Sequence, residues 1–363
     1  MKVLIYLHHP AHFHLFKNII DNISKHNEVL ILATKKDILE NLLLLKGYKY
    51  INMLPKGRKN NKFSIAFGLL KQDLKLLNIC LKQKPDLLVG TSTEIAHIGK
   101  LLNIPSIFTN EDDIKAVPLI GILAYPFAKH LFVPYVCDVG KWESKTIKYN
   151  SYHELAYLHP KNFTPSIEVV KKYITIKEKY FILRFSDLSA HHDKNKKGIS
   201  NELAIRLIHI LKKYGRVFIT SERKLDKIFE KYRININPLD MHHFLYYSSL
   251  LIGDSQTMSA EAGVLGVPFI RYNDFVGKIS YLNELENIYK LGYGINTSNE
   301  DYMISIVKKI ISKNDIKKLY INRRDKMLKD KIDYSSFLSW VINNYPNSIK
   351  VIKENQDYQY NFK

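Results

Sequence analysis

Short apolar runs recur along this chain, each followed by a polar or Gly/Pro-containing break and then by residues with helical spacing, and the rhythm starts twice. Val3–Leu7, Glu28–Ala33, Tyr48–Met53, Asp86–Gly90 and Pro105–Thr109 read as strands, and Phe13–Ser24, Lys36–Lys46, Phe63–Gln83 and Thr91–Leu102 as helices. A later series repeats the pattern, with strands at Tyr180–Arg184, Arg216–Thr220, Tyr247–Ile252 and Val267–Ile270. Helices are expected there at Ser200–Tyr214, Arg223–Tyr232, Thr257–Leu265 and Ser280–Leu291, and through much of Ile304–Asn344. Strands that alternate with helices run parallel, because each helix carries the chain back to the start of the sheet. The expectation is an α/β fold of two Rossmann-like halves, and a length of 363 residues accommodates two domains. Val139–Val169, with prolines at 160 and 165, reads as the connection, and the last dozen residues as a frayed polar tail.

Composition narrows the partners. The formal net charge is +20, which favours an anionic partner: nucleic acid, anionic lipid or a phosphate-bearing substrate. The positive charge is dispersed and no nucleic-acid-binding motif is present, so nucleic acid is not expected. Cys80 and Cys137 form no metal or redox motif, which suits a reduced, cytoplasmic setting. At the N-terminus His8-His9-Pro10 interrupts the apolar run before a signal sequence develops. The most apolar window, Val117–Val136, is split by Lys129 and His130 and by three prolines, and reads as a buried helix followed by a strand. Lys56, Arg58, Lys59 and Lys62 precede Phe63, Ile65, Phe67, Leu69 and Leu70, a pattern that suits peripheral contact with an anionic membrane surface. The plainer reading of that segment is a core-packed helix behind a solvated loop.

In doubly wound folds ligands bind beyond the carboxyl ends of the strands, so the residues after each strand are the candidate site. After the first strand come His8, His9, His12 and His14; their spacing fits no zinc pattern. A general base suits imidazole better, with His12, at the end of the turn, as first candidate and His9 as second. Thr91, Ser92, Glu111 and Asp112 follow the fourth and fifth strands and are candidates for acceptor contact. In the second half Arg184, Ser186, His192 and Ser221 stand at or after strand ends. Gly253-Asp254-Ser255 then breaks a strand before a helix, where free backbone N–H groups and a helix dipole attract an anion. Asp254, Ser255, Gln256 and Thr257 would line that anion site, which needs no divalent metal. Glu261, near the first turn, suits either the hydroxyls of a ribose or compensation of the helix dipole, and spacing leaves both open. Neither a dinucleotide-binding GxGxxG after the first strand nor a GxxxxGK[ST] loop occurs, so no nicotinamide or other cofactor is expected.

Three segments in order, MKVLIYLHHPAHFHLFKNII at the start, YHELAYLHP at Tyr152–Pro160 and GDSQTMSAEAGVLGVPFIR…FVGKISYLNELE, resemble the glycosyltransferase-like family called domain of unknown function 354. That family is similar to the GT-B superfamily of sugar-nucleotide glycosyltransferases and UDP-N-acetylglucosamine 2-epimerases. The resemblance implies parallel sheets facing across a cleft, an acceptor domain over 1–150, a nucleotide-sugar domain over 151–345 and a tail, 346–363, that crosses back. The epimerase motif holds a diphosphate with Asp-Ser-Gly-Gly and a ribose with a Glu six residues beyond the Ser. Asp254, Ser255 and Glu261 match it, while Gln256 and Thr257 replace the glycines. The N-terminal turn is similar to the acceptor loop of the peptidoglycan N-acetylglucosaminyltransferase, without its glycines. The epimerases' His-Arg pair is not reproduced: Arg184 lies on the strand and His191-His192 comes later. The resulting expectation is a metal-independent glycosyltransferase. Its donor would be a nucleotide-sugar, UDP-linked, and its acceptor a glycan or lipid-linked hydroxyl in surface polysaccharide or glycolipid synthesis. The alternatives are a non-hydrolysing nucleotide-sugar 2-epimerase and a non-catalytic basic binding or scaffold protein.

Overall fold

A computed structural model describes residues 1–34, 38–53, 62–175, 178–186 and 198–363, with 62–67 as backbone only. Two parallel sheets organise two compact units, Met1–Tyr157 with Lys331–Lys363, and Leu158–Asp330. The unit boundaries thus fall at 157/158 and 330/331 rather than at 150 and 345, and the returning segment is longer than the expected tail.

The first sheet contains β1 (Lys2–Leu7), β2 (Glu28–Ala33), β3 (Ile51–Asn52), β4 (Leu87–Gly90), β5 (Ser106–Thr109), β6 (His130–Pro134) and β7 (Thr146–Tyr149). Its order is β3-β2-β1-β4-β5-β6-β7, parallel throughout. Helices α1 (Pro10–Ile23), α2 (Leu39–Lys46), α3 (Lys62–Gln83), α4 (Thr93–Leu102), α5 (Pro118–Leu123) and α6 (Leu155–Leu158) belong to this half of the chain. Val3 to Leu7 are fully buried, as a strand covered on both faces requires. Helix α1 starts where Pro10 presets its backbone angle and the His9 ring accepts from the Ala11 amide.

The second sheet contains β8 (Tyr180–Phe185), β9 (Arg216–Ser221), β10 (Leu250–Gly253), β11 (Phe269–Tyr272) and β12 (Gly292–Ile295), in the parallel order β12-β11-β10-β8-β9. Around it run α7 (Ile167–Lys171), α8 (Asn201–Leu211), α9 (Lys227–Glu230), α10 (Met241–Tyr247), α11 (Gln256–Leu265), α12 (Ser280–Asn283), α13 (Glu300–Ile311) and α14 (Ile316–Asp330). Helix α12 continues as a π-helical turn over Glu284–Ile288. The chain closes in the first unit with α15 (Tyr334–Asn343), α16 (Asn347–Glu354) and a 3-10 turn over Gln356–Phe362.

Several local expectations are corrected. Strand β7 lies inside the segment read as a connection, and β12 and α10 were not foreseen. The helix expected over Arg223–Tyr232 is only Lys227–Glu230, and the third strand shrinks to two residues. The final residues are packed, not frayed: the Trp340 ring stacks 4.8 Å from Tyr358 and lies 5.4 Å from Phe362. The window around Pro118 is not a buried helix. Leu119 and Ile122 are 54% and 64% exposed on α5, a helix of only six residues that starts at Pro118.

Unit 2 holds a fully buried ion pair. Arg271 of β11, 0% exposed, sends Nε and Nη2 to the two carboxylate oxygens of Glu286 at 2.8 and 3.1 Å. Burial pushes the Glu286 carboxyl up, and Arg271 pulls it back down. Removing one partner strands the other without water. Arg271→Met is therefore expected to cost about 3–5 kcal/mol in denaturant unfolding, and Arg271→Met/Glu286→Leu to recover most of it. Equal losses in the two variants would show that the pair is not the cause.

Candidate functional site

Each sheet reverses its direction of growth at one place, and the candidate residues gather there. In unit 1 the reversal lies between β1 and β4, which pair directly. His12, in the first turn of α1, meets Thr91 from the end of β4: the hydroxyl lies 3.0 Å from Nδ1 and 3.1 Å from Nε2. The His8 ring packs edge-on against His12 at 4.3 Å, and the His8 amide points at His12 Nδ1 from 3.5 Å. The structure thus brings together His12, His8 and Thr91. His9 is used as the helix cap, its Nδ1 accepting from the Ala11 amide at 3.2 Å. Ser92 is the buried N-cap residue of α4, with its hydroxyl unbonded.

In unit 2 the reversal lies between β8 and β10. Asp254 is 2% exposed and ties the loops there: Oδ1 accepts from the Ser186 amide at 2.6 Å and Oδ2 from the Ile199 amide at 3.4 Å. Burial raises its carboxyl while these amides lower it. Its carboxylate therefore shapes the turn, and the turn presents the start of α11. Ser255 caps α11 by accepting from the Met258 amide, and half-buried Gln256 and Thr257 open the helix. Gly253 is required by the close approach of β10 to β8, since a Cβ there would stand 2.8 Å from the Arg184 carbonyl oxygen. Arg184 forms an ion pair with Glu222; among the described residues, its Nε and the Thr220 hydroxyl are buried without a hydrogen-bond partner. Ser221 donates to the Arg223 carbonyl at 2.6 Å. His192 lies outside the described residues, as does the basic loop containing Lys56, Arg58 and Lys59.

Glu261 is not a first-turn residue. It sits in the second turn of α11, 7% exposed, with Oε1 2.9 Å from Nε2 of His242, itself 3% exposed on α10. That position lies beyond the first turn, where the helix dipole acts most strongly. His242 was missed because α10 itself was not foreseen. His153, in contrast, lies within the YHELAYLHP segment.

That histidine organises the remaining candidates. Its Nδ1 stands 3.4 Å from the Glu111 carboxylate, its amide donates to Glu111 Oε2 at 3.1 Å, and its Nε2 lies 2.9 Å from the Thr109 hydroxyl. Asp112 is beside this pair. Burial and the neighbouring Glu111 push its carboxyl up to about 7, against a lowering pull from His153. Among the described residues no three His, Cys, Asp or Glu side chains gather as a metal site.

The model of the family described as "Protein of unknown function (DUF354)" matches residues 1–333. The chain belongs to this family. No curated protein matches its sequence. Its fold is that of the GT-B proteins. The UDP-GlcNAc 2-epimerase from Neisseria meningitidis bound to UDP-GlcNAc superposes with a TM-score of 0.65 at 16% identity, covering 98% of this chain and 100% of that one. An S. aureus MnaA–UDP structure gives 0.67 at 14%, covering 96% and 98%. A spinosyn rhamnosyltransferase, SpnG, complexed with spinosyn aglycone gives 0.63 at 12%, covering 95% and 100%. At these identities the likeness establishes the fold.

The Asp112 carboxyl yields a pH prediction for this family member. Its folded value of about 7 exceeds the ordinary 3.8, so the native state holds a proton that the unfolded chain releases. Stability from this group is complete at low pH and is lost as pH rises towards 7. Asp112→Asn should therefore raise the thermal midpoint, relative to the unsubstituted protein, more at about pH 8 than at about pH 4. A pH-independent difference would place the carboxyl in water.

Proposed function

We propose that the protein is a metal-independent GT-B glycosyltransferase that moves a sugar from a UDP-linked donor to an acceptor hydroxyl, in the synthesis of a surface glycan or glycolipid. The observation that carries this reading is the turn at the β8–β10 reversal. There Asp254 holds the loop, and the capped N-terminus of α11 offers backbone N–H groups to a diphosphate, with Glu261 one turn further along the same helix. Glu261, fixed by His242, would take the ribose hydroxyls. The UDP-GlcNAc and UDP complexes among proteins of the same fold support a uridine donor.

In unit 1, His12 would take the proton of the acceptor hydroxyl. The Thr91 hydroxyl, 3.0 Å from Nδ1, would help to hold the imidazole in place. Thr91, Ser92, Glu111 and Asp112 would contact the acceptor, and His9 supports the turn as its cap. The helix N-terminus would stabilise the departing diphosphate as negative charge grows on it. A 2-epimerase is the second reading, favoured by the epimerases that share the fold. The engagement of Arg184 with Glu222 supports transfer instead, because the arginine is already committed to a carboxylate.

Incubation with UDP-sugars, with and without a glycan or lipid-linked acceptor, separates the readings: transfer, a 2-epimer without acceptor, or neither. Loss of the His12 base in His12→Asn should lower turnover about 10²–10⁴-fold and leave donor affinity nearly intact. Glu261→Ala should weaken donor binding roughly tenfold or more in calorimetry. It should also cost about 1–3 kcal/mol of stability, because the buried hydrogen bond to His242 is lost. Unchanged affinity would remove Glu261 from the ribose, and lost donor binding in His12→Asn would overturn the assignment of the donor to unit 2.

A further inference from the structure

Helix α5 and the corner after it carry an apolar ridge that, among the described residues, stays exposed. Leu119, Ile122 and Leu123 occupy one helical face, being three and four residues apart, and are 54%, 64% and 36% exposed. Phe127, 41% exposed, extends the ridge beyond the helix. These side chains rest on a firm base. The His97 ring packs edge-on against Phe127 at 5.1 Å, its Nε2 donates to the Leu123 carbonyl at 2.7 Å, and its Nδ1 meets Asp73 at 2.9 Å. Lys145 grips the same corner from the other side, donating to the Tyr125 carbonyl at 2.6 Å.

Cations gather at the corner where the ridge ends. Directly after it, Lys129 and His130 open a recess of about 480 Å³ whose floor includes Tyr345 and Ile349 and whose rim carries Lys350 and Lys353. Lys353, Lys129 and Lys145 lie close enough to His130 to add to the effect of burial in pushing its imidazole down to about 4, and Lys100 lies close enough to Lys145 to lower it in the same way. Glu354, also on the rim, stands 3.9 Å from Lys350 and offsets only part of this charge. Among the described residues no helix is long and apolar enough to cross a membrane.

Exposed leucine, isoleucine and phenylalanine beside clustered lysines match a surface that is apolar below and negatively charged at its face. A groove for another protein would want the ridge matched by a complementary apolar patch, and would have no use for so many like charges around it. We propose that the α5 ridge and the lysine cluster around His130 dock this protein on a bilayer containing anionic phospholipid. The ridge enters the boundary between headgroups and acyl chains, and Lys129, Lys350 and Lys353 take headgroup phosphates. This surface differs from the basic loop near Lys56 to which the amino-acid pattern pointed, and it stands independently of the catalytic reading.

The test is co-sedimentation of the full chain with vesicles of phosphatidylcholine alone or with phosphatidylglycerol added. Binding is expected only to the second kind and should weaken as salt rises. Lys129→Glu/Lys353→Glu should lower the partition at least tenfold, since each surface lysine contributes roughly fivefold. Ile122→Ser/Phe127→Ser should lower it too, by removing the inserted side chains. Because the net charge is +20, a control is needed: Lys308→Glu/Lys309→Glu, exposed on α13 in unit 2, should leave binding nearly unchanged. Equal loss in the control would reduce the effect to net charge and overturn the proposal. So would binding to neutral vesicles, absence of binding, or a ridge variant that alters oligomer size in gel filtration without altering sedimentation.

Discussion

A parallel sheet cannot grow from both edges without reversing direction once, and at that reversal two neighbouring strands send their crossovers to opposite faces. The gap between those crossovers is the one place where a strand end is not roofed by its own connection. Here the constraint acts twice. At the β1–β4 reversal it leaves His12 and Thr91 in contact. At the β8–β10 reversal it leaves the start of α11 open, with the Asp254 carboxylate bracing the turn from below. Two of the candidate clusters are thus set by which residues follow the strands at each reversal.

Holding those turns in place consumes charge. Asp254 spends its oxygens on backbone amides, Glu111 on the amide and ring of His153, and Glu261 on His242. Each is an acid withdrawn from water and given a partner within the fold, because an isolated buried carboxylate would otherwise take up a proton. At Asp112, burial and the neighbouring Glu111 push the carboxyl up instead.

What was legible in the amino-acid sequence was whatever depends on local periodicity. The buried runs of β1, β2, β8 and β11 and the turn at Gly253 announce themselves through apolar content and glycine. The Ser255 cap and the Gly266 stop of α11, the latter with φ of 75°, do likewise. Strand β7, TIKY, alternates half-buried and buried residues at a sheet edge, so it lacks the continuous apolar signal of a central strand. Helix α10 hides because its apolar face is supplied by Phe244 and Leu245 beside two histidines, which read as polar. The exposure of α5 was illegible for a different reason: an apolar helix at the surface and one in the core can have the same composition, and only packing separates them.

The returning segment has a consequence for how the protein is made. Unit 1 is interrupted: its sheet comes from the first part of the chain, while α15, which packs on α1, and the ring of Tyr334, stacked 4.1 Å from Tyr149, come from the last. A growing chain therefore carries the whole of Leu158–Asp330 out of the ribosome before the residues that finish unit 1 exist. The usual order of folding during synthesis, amino-terminal domain first, is therefore disturbed: unit 2 is complete before unit 1. The face of α1 that α15 will cover must wait in the cell through the synthesis of an entire intervening unit, which makes that nascent stage the point at which a chaperone has most to protect.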